Sequence, residues 1–283
     1  MIKRINWLLI LVFSFSACNS RSDNFNNGVR SFKEGNYVTS ISLFNQSFNE
    51  KHNEEDKAYL YIGMSYSRID STSLALEYYN KAIEANTKNA DAYNERGYLL
   101  QRLGKYKESL EDFSTAISIN NKRADFYNNR GFSYHSIKDY NKALDDYRRS
   151  ITIDKYYSYA YNGIGVTVAE MKNYETAIKW FSEAIKINKD YLEACFNRAQ
   201  TYIYMSQIDD AFMDIDYVLK RDSTFDKCYY LRGLVYFGLG DTINACHDLE
   251  RIRGKAFLIP ILFFLVYVIN QNHYYYYTHK YKE

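Results

Sequence analysis

The chain has 283 residues, with 36 lysines and arginines against 34 aspartates and glutamates, and only one proline and 12 glycines. Charge this evenly balanced gives no basic footprint, so nucleic acid is not an expected partner. So little proline and glycine is poor punctuation for a sheet protein, and helices joined by short polar turns are expected instead. The N-terminus reads differently from the rest. Lys3 and Arg4 precede an apolar stretch from Trp7 to Phe15, interrupted only by Ser14 and followed by Ser16, Ala17 and Cys18. A short basic region, a short apolar core and small residues form a secretory signal pattern. The run is well below the roughly 20 apolar residues of a spanning helix, which predicts a cleaved segment, residues 1–17, rather than a permanent transmembrane anchor.

Small residues followed by Cys18 resemble the lipobox of bacterial lipoproteins. The resemblance implies acylation of Cys18 and a lipid-anchor segment at residues 18–20; an ordinary cleaved secretory signal is the alternative. Two or three acyl chains hold a protein on a membrane where one does not, each buried methylene contributing about 0.8 kcal/mol. Asn19 stands where such lipoproteins carry an aspartate for inner-membrane retention, so the same resemblance implies the outer membrane of a bacterial cell envelope. Cleavage would remove Lys3 and Arg4 and leave 34 basic against 34 acidic residues. Such a chain is expected to recognise its ligand by shape and local polarity.

From residue 56 to residue 253 the sequence repeats at a spacing of 34. Gly63, Gly97, Gly131, Gly165, Ala199 and Gly233 form one column of small residues. Ala75, Ser109, Ala143, Ala177, Ala211 and Ala245 form a second, and Ala82, Ala116, Ser150, Ala184, Val218 and Ile252 a third. Large apolar residues lie between: Tyr59, Tyr93, Tyr127, Tyr161, Cys195 and Tyr229 before the glycines, and Tyr79, Phe113, Tyr147, Phe181, Ile215 and Leu249 after them. In residues 90–123 the stripes Tyr93, Gly97, Leu100 and Tyr106, Leu110, Phe113, Ile117 each have helical spacing, with Gly104 and Lys105 between them. That predicts an antiparallel helix pair whose turn recurs at Asp70, Lys138, Lys172, Ser206 and Gly240. A helical glycine costs about 1 kcal/mol relative to alanine, so its recurrence implies backbones in close contact there.

The order aromatic, Gly/Ala, aromatic, Ala, aromatic, Ala at these offsets resembles the tetratricopeptide repeat. The resemblance implies an all-α, right-handed solenoid of about six to seven helix pairs over residues 21–253. Its repeats fall near 56–89, 90–123, 124–157, 158–191, 192–225 and 226–253, after a degenerate copy near 21–54 marked by Gly28, Gly35, Tyr37, Phe44 and Ser47. The proline that closes such repeats is replaced by Thr87, Asn121, Lys155, Lys189 and Ser223, and helix ends there are expected to fray. A second pattern is internal. Arg96, Arg130, Arg198 and Arg232 precede the small column, and the same four repeats carry Asp112, Asp146, Asp214 and Asp248. The other two carry Ile62 with Tyr78 and Ile164 with Trp180. Charge comes and goes in pairs, which predicts a structural salt bridge between the helices of each hairpin; functional arginines are the alternative.

No catalytic constellation emerges. His52, His135, His247, His273 and His279 fall in no zincin-like spacing and beside no nucleophile signature, and there is no phosphate loop. Asp145 with Asp146, and Asp209 with Asp210, read as solvated faces of second helices. Cys195, Cys228 and Cys246 have no metal-ligand spacing. Cys195 fills an aromatic's core position and reads as a small buried hydrophobe, a disulfide among the three being the alternative. The expectation is a protein that is not an enzyme, with no cofactor, no metal and no small-molecule ligand.

What the resemblance does offer is a concave groove lined by first helices. Asn94, Asn128 and Asn162 occupy one groove column and Asn129 and Asn197 the next, a ladder of amides able to donate to and accept from an extended peptide. Tyr98 and Phe132, and then Phe196, Ile203, Tyr230, Leu234 and Phe237 nearer the C-terminus, add apolar anchors. Helix starts and neighbouring repeats are the competing use for the asparagines. The lysine and arginine clamp with which some family members hold a terminal carboxylate is absent, its lead position being Asn94, Asn128 and Asn162. The expected function is a membrane-anchored adaptor or scaffold for proteins or extended peptides. A structural assembly factor of an envelope complex and a carbohydrate-binding lipoprotein are the alternatives. Residues 254–283 break register: an apolar run from Ala256 to Ile269, interrupted by Pro260, leads to Tyr274–Tyr277. Too short to span comfortably, the run is a cap on the last helix pair, an interfacial segment or a frame-disrupted end.

Overall fold

The computed structural model describes residues 23–49 and 54–252. The signal segment, Cys18, His52, His273, His279 and the apolar tail lie outside that range. Among the described residues every regular element is a helix, and the helices pair as hairpins. The chain forms two compact units, the first ending at Asn121 and the second beginning at Lys122. The first unit holds three hairpins: α1 (Asn24–Lys33) with α2 (Tyr37–Ser47), α3 (Glu55–Arg68) with α4 (Thr72–Ala85), and α5 (Ala90–Arg102) with α6 (Tyr106–Ile119). The second holds four: α7 (Ala124–Ser136) with α8 (Tyr140–Ile153), α9 (Ser158–Glu170) with α10 (Tyr174–Ile187), α11 (Leu192–Tyr204) with α12 (Ile208–Arg221), and α13 (Asp226–Gly238) with α14 (Thr242–Arg251). The degenerate copy is a hairpin like the others, and no described helix is long and apolar enough to cross a membrane.

Each hairpin turns on one residue in the left-handed region. Gly35, Asp70, Gly104, Lys138, Lys172, Ser206 and Gly240 have φ between 58° and 81°. The next residue's N–H reaches back five positions, as in Asn173 to Val168 O at 2.9 Å, which closes the first helix with a Schellman motif.

The glycine column has a different cause from the one inferred from sequence. A Cβ on Gly97 would stand 2.9 Å from the Phe113 ring, and one on Gly165 2.5 Å from the Phe181 ring. Gly28, Gly63 and Gly131 face Phe44, Tyr79 and Tyr147 in the same way. The closest neighbour is the side chain sixteen residues later on the second helix, and at Gly63, Gly131 and Gly233 a carbonyl oxygen of that helix stands 3.3 to 3.4 Å away as well. Alanine appears in the column at Ala199, where the facing residue is Ile215 rather than a ring. The rings they admit, Phe44, Tyr79, Phe113, Tyr147 and Phe181, are at most 2% exposed and fill the hairpin cores.

Helix ends that lack proline are held in another way. Second helices α4, α8, α10 and α12 stop at Asn86, Asp154, Asn188 and Asp222, whose backbones are extended. Each side chain accepts the N–H two residues on, at 2.8 to 3.0 Å. Each carbonyl accepts the N–H three residues on, as Asp154 O does from Tyr157 at 3.1 Å. These are Asx turns, which give the connection the definition that proline would otherwise supply.

Candidate functional site

Arg198 donates through Nε and Nη2 to the two carboxylate oxygens of Asp214, both at 2.7 Å, a bidentate fork. Arg96 with Asp112, Arg130 with Asp146 and Arg232 with Asp248 repeat the geometry at 2.6 to 3.0 Å. The aspartates are buried, and their hydrogen bonds hold all four guanidinium pKa values above the ordinary arginine value. Asp146 is thus 6% exposed and not on a solvated face as its sequence neighbourhood indicated, while Asp145, Asp209 and Asp210 are exposed. The arginines also reach a helix the sequence pattern had not included. Nη1 of Arg96 donates to Asn80, that of Arg198 to Ser182 and that of Arg232 to Asp216, each sixteen residues upstream on the preceding hairpin. One side chain ties three helices together. In the exceptional repeats Ile62 is fully buried with Tyr78 packed against its cluster, and Ile164 is 1% exposed with Trp180 against its own.

The groove positions divide by depth. Tyr98, Phe132 and Phe237 are 48%, 49% and 57% exposed. Asn128, Asn129, Phe196 and Asn197 are half-buried. Asn94, Asn162 and Tyr230 are buried and do not offer the open surface expected of them, and Ile203 and Leu234 belong to the core of α11–α14. The amides are partly spent on neighbours: Asn197 Nδ2 donates to Asn162 Oδ1 at 3.0 Å, Asn94 to Glu95 and Asn128 to Asn129. Repeat arithmetic gives a residue's direction around its helix, while its depth depends on the size of what packs beside it. The Tyr230 hydroxyl has no hydrogen-bond partner.

Beside these positions sits His135 on α7. The Thr167 hydroxyl donates its one proton to the Gly163 carbonyl at 2.8 Å. His135 Nδ1, 3.1 Å from that oxygen, must therefore be the donor, which leaves Nε2 as the acceptor. Burial lowers the imidazole pKa, with Glu170 opposing, so the ring is neutral at pH 7. No cluster of histidine, cysteine and carboxylates able to hold a metal occurs among the described residues. Cys195 and Cys228 are buried free thiols, pushed up to about 11 and about 12 by desolvation, and Cys246 is exposed.

A row of aromatic residues at the starts of first helices went unnoticed in the sequence. Tyr157, Tyr191 and Phe225 precede α9, α11 and α13 at the N-cap position, and none makes a side-chain cap hydrogen bond. They fall 34 residues apart, in the column where Asn89 caps α5 by accepting from Ala92 N at 3.0 Å. The spacing was there to be read, but a boundary column carries no core periodicity to attract notice.

The repeat family follows from this architecture and from direct matches. Models described as tetratricopeptide repeat match residues 56–89, 78–111, 124–157 and 158–191, and one described as TPR repeat matches 102–138. Over residues 56–191 the chain is built of tetratricopeptide repeats. Its fold is similar to that of a tetratricopeptide repeat protein from Parabacteroides merdae, at 18% identity over 87% of this chain and 97% of that one, TM-score 0.70. Pseudomonas aeruginosa pilF matches at 18% identity over 74% of this chain and 95% of that one, TM-score 0.63. A chain of the APC/C hetero-tetramer Cut9-Hcn1 matches at 16% over 86% and 47%, TM-score 0.70. At these identities the likeness is one of fold. No curated protein matches the sequence.

Proposed function

We propose that this chain is a membrane-anchored adaptor that catalyses no reaction and holds extended segments of partner proteins along the first-helix faces of its repeats. The observation that carries the reading is the aromatic residue left in the open at one register: Tyr98 on α5 in the first unit and Phe132 on α7 in the second, each about half exposed. Large rings left in water inside a helix, rather than at a frayed end, are the surface from which binding hot spots are drawn. Asn128 and Asn129 precede Phe132 on the same helix, half-buried, and supply amide chemistry suited to a peptide backbone. The anchoring rests on Lys3, Arg4, the apolar run and Cys18, and the outer-membrane location on Asn19.

Crosslinking pull-down from native membranes tests the adaptor role, comparing the unaltered chain with a Tyr98→Ala/Phe132→Ala variant. Loss of a specific partner from the folded variant is expected, and retention of every partner would move binding to another face. For the anchor, Cys18→Ser should shift the protein from the membrane fraction to the soluble one. Persistence in the membrane would remove the lipoprotein reading.

A further inference from the structure

In the second unit, contacts trace the side that each first helix turns to the hairpin after it. Asn162 on α9 accepts from Asn197 on α11, and Phe196 on α11 packs on Phe225, the residue before α13, with ring centroids 5.9 Å apart. His135 on α7 reaches Thr167 on α9 at 3.1 Å. Two columns therefore face forward. One holds Asn162 and Phe196, the other His135 and Ile203, and Tyr230 and Phe237 continue them on α13.

No hairpin follows α14 among the described residues, so both side chains should stand open. Phe237 does, at 57%. Tyr230 does not: it is 5% exposed. Leu234, one turn further along the same side, is 3% exposed, whereas Tyr98 and Phe132 stand half open at that register in earlier repeats. The first half of the α13 face is thus covered, and no later hairpin among the described residues supplies the cover.

The Tyr230 hydroxyl shows what kind of cover it is. That oxygen is shut off from solvent and has no hydrogen-bond partner. Buried hydroxyls are normally paired, and a polar segment lying over this one would pair it, so the covering group is apolar. Such a segment lies close in the chain. Ile252, the last described residue, is 1% exposed and belongs to the same core cluster as Tyr230 and Leu234. Arg253, Gly254 and Lys255 lead from it to the apolar run Ala256–Ile269. A chain advances at most about 3.5 Å per residue, so the run begins within roughly 14 Å of Ile252.

We propose that the run Ala256–Ile269 docks on α13 of its own chain at Tyr230 and Leu234, in the place that the first helix of a further hairpin would take. Held in a membrane interface instead, the run would leave both side chains uncovered. Docked, it withdraws Tyr230 and Leu234 from partner binding and leaves Phe237 open. This is a contact within one chain, and it stands or falls separately from the adaptor role.

Photo-crosslinking of the full chain tests it, with p-benzoylphenylalanine in place of Phe237. That ring is more than half exposed and one turn from Leu234, so the replacement leaves the fold in place. A crosslink within one chain to a peptide from residues 256–269 is expected. Crosslinks that miss this run overturn the proposal, and so do crosslinks that join two copies, which would assign the face to a dimer. Thiol labelling gives a second reading. In Leu234→Cys, iodoacetamide is expected to modify position 234 about tenfold more slowly than exposed Cys246. Adding Leu262→Asp/Leu265→Asp should bring the two rates together while buried Cys195 stays unlabelled. Fast labelling at position 234 before the double substitution, or no change after it, overturns the proposal. If the double substitution also exposes Cys195, the crosslink alone decides.

Discussion

Hairpins α9/α10 and α11/α12 are neighbours in one unit with the same fold and nearly opposite interiors. In the first, Ile164 is buried in a cluster against which Trp180 packs, Gly165 lies under the Phe181 ring, and Tyr161 stands in the column before the glycine. In the second those places hold Arg198 paired with Asp214, Ala199 against Ile215, and Cys195. Each solution is consistent within itself. What these two hairpins share is complementarity between positions sixteen residues apart, either two apolar groups or two opposite charges, and a small residue, glycine under the Phe181 ring or alanine opposite Ile215, in the column beside them.

The sharpest break is to remove one half of a pair. Asp214→Ala is expected to destabilise the second unit by about 3 kcal/mol in denaturant unfolding. That is the low end for a broken buried pair, because the Arg198 side chain is 21% exposed and keeps its bond to Ser182. The double change Arg198→Ile/Asp214→Trp, which copies the neighbouring hairpin, should recover most of the loss. If the double variant is no better than the single one, the two interiors are not interchangeable and the complementarity rule fails.

Next in size is the glycine. Alanine at Gly165 gains about 1 kcal/mol of helix propensity but drives a Cβ to 2.5 Å from Phe181, and overpacking of that kind costs about 1 to 3 kcal/mol. A net loss is expected, relieved by adding Phe181→Ile, as found naturally at Ala199 and Ile215. Ala199→Gly should lose about 1 kcal/mol with no steric component.

These contrasts show what the sequence made readable. Among the described residues column spacing marked the six hairpins from α3 to α14, because a repeat must present the same core face each time. It also exposed the arginine–aspartate pairing, because both partners vary together. It could not show that Arg198 extends to Ser182, since serine, asparagine and aspartate share that upstream column without a common charge. Nor could it show that Asn162 is buried against Asn197 while Phe132 is open, because that depth is set by the bulk of neighbouring side chains. The aromatic residues at the N-cap positions were hidden for another reason: Tyr157 and Tyr191 sit outside both amphipathic stripes.

The cysteine that replaces Tyr161 in the second hairpin gives a chemical contrast. Desolvation pushes Cys195 up to about 11 and Cys228 up to about 12, so at pH 8 only about one thiol in a thousand or fewer is ionised at either site. Iodoacetamide is expected to label exposed Cys246 in the native protein and the other two only after unfolding. Because folding raises these pKa values above the ordinary 9.0, the stability tied to the neutral thiols is complete below pH 9 and lost as pH rises through about 11. Rapid native labelling of Cys195 would show that its hairpin opens more readily than its burial implies.

The smallest effect concerns the turns, where the two hairpins agree. Lys172 and Ser206 have φ of 62° and 61°, and each is followed by an N–H bonded five residues back at 2.9 Å. A side chain in the left-handed region costs about 1 kcal/mol or slightly more, part of which glycine regains while adding disorder to the unfolded chain. Lys172→Gly and Ser206→Gly should therefore each stabilise by roughly 0.5 to 1 kcal/mol, and by similar amounts, since the backbone strain is the same. A gain at one turn and a loss at the other would mean that the side chain lost from the second contributes more through its contacts than its backbone costs in strain. The turns would then join the hairpin interiors as places where neighbouring repeats reach the same geometry by different means.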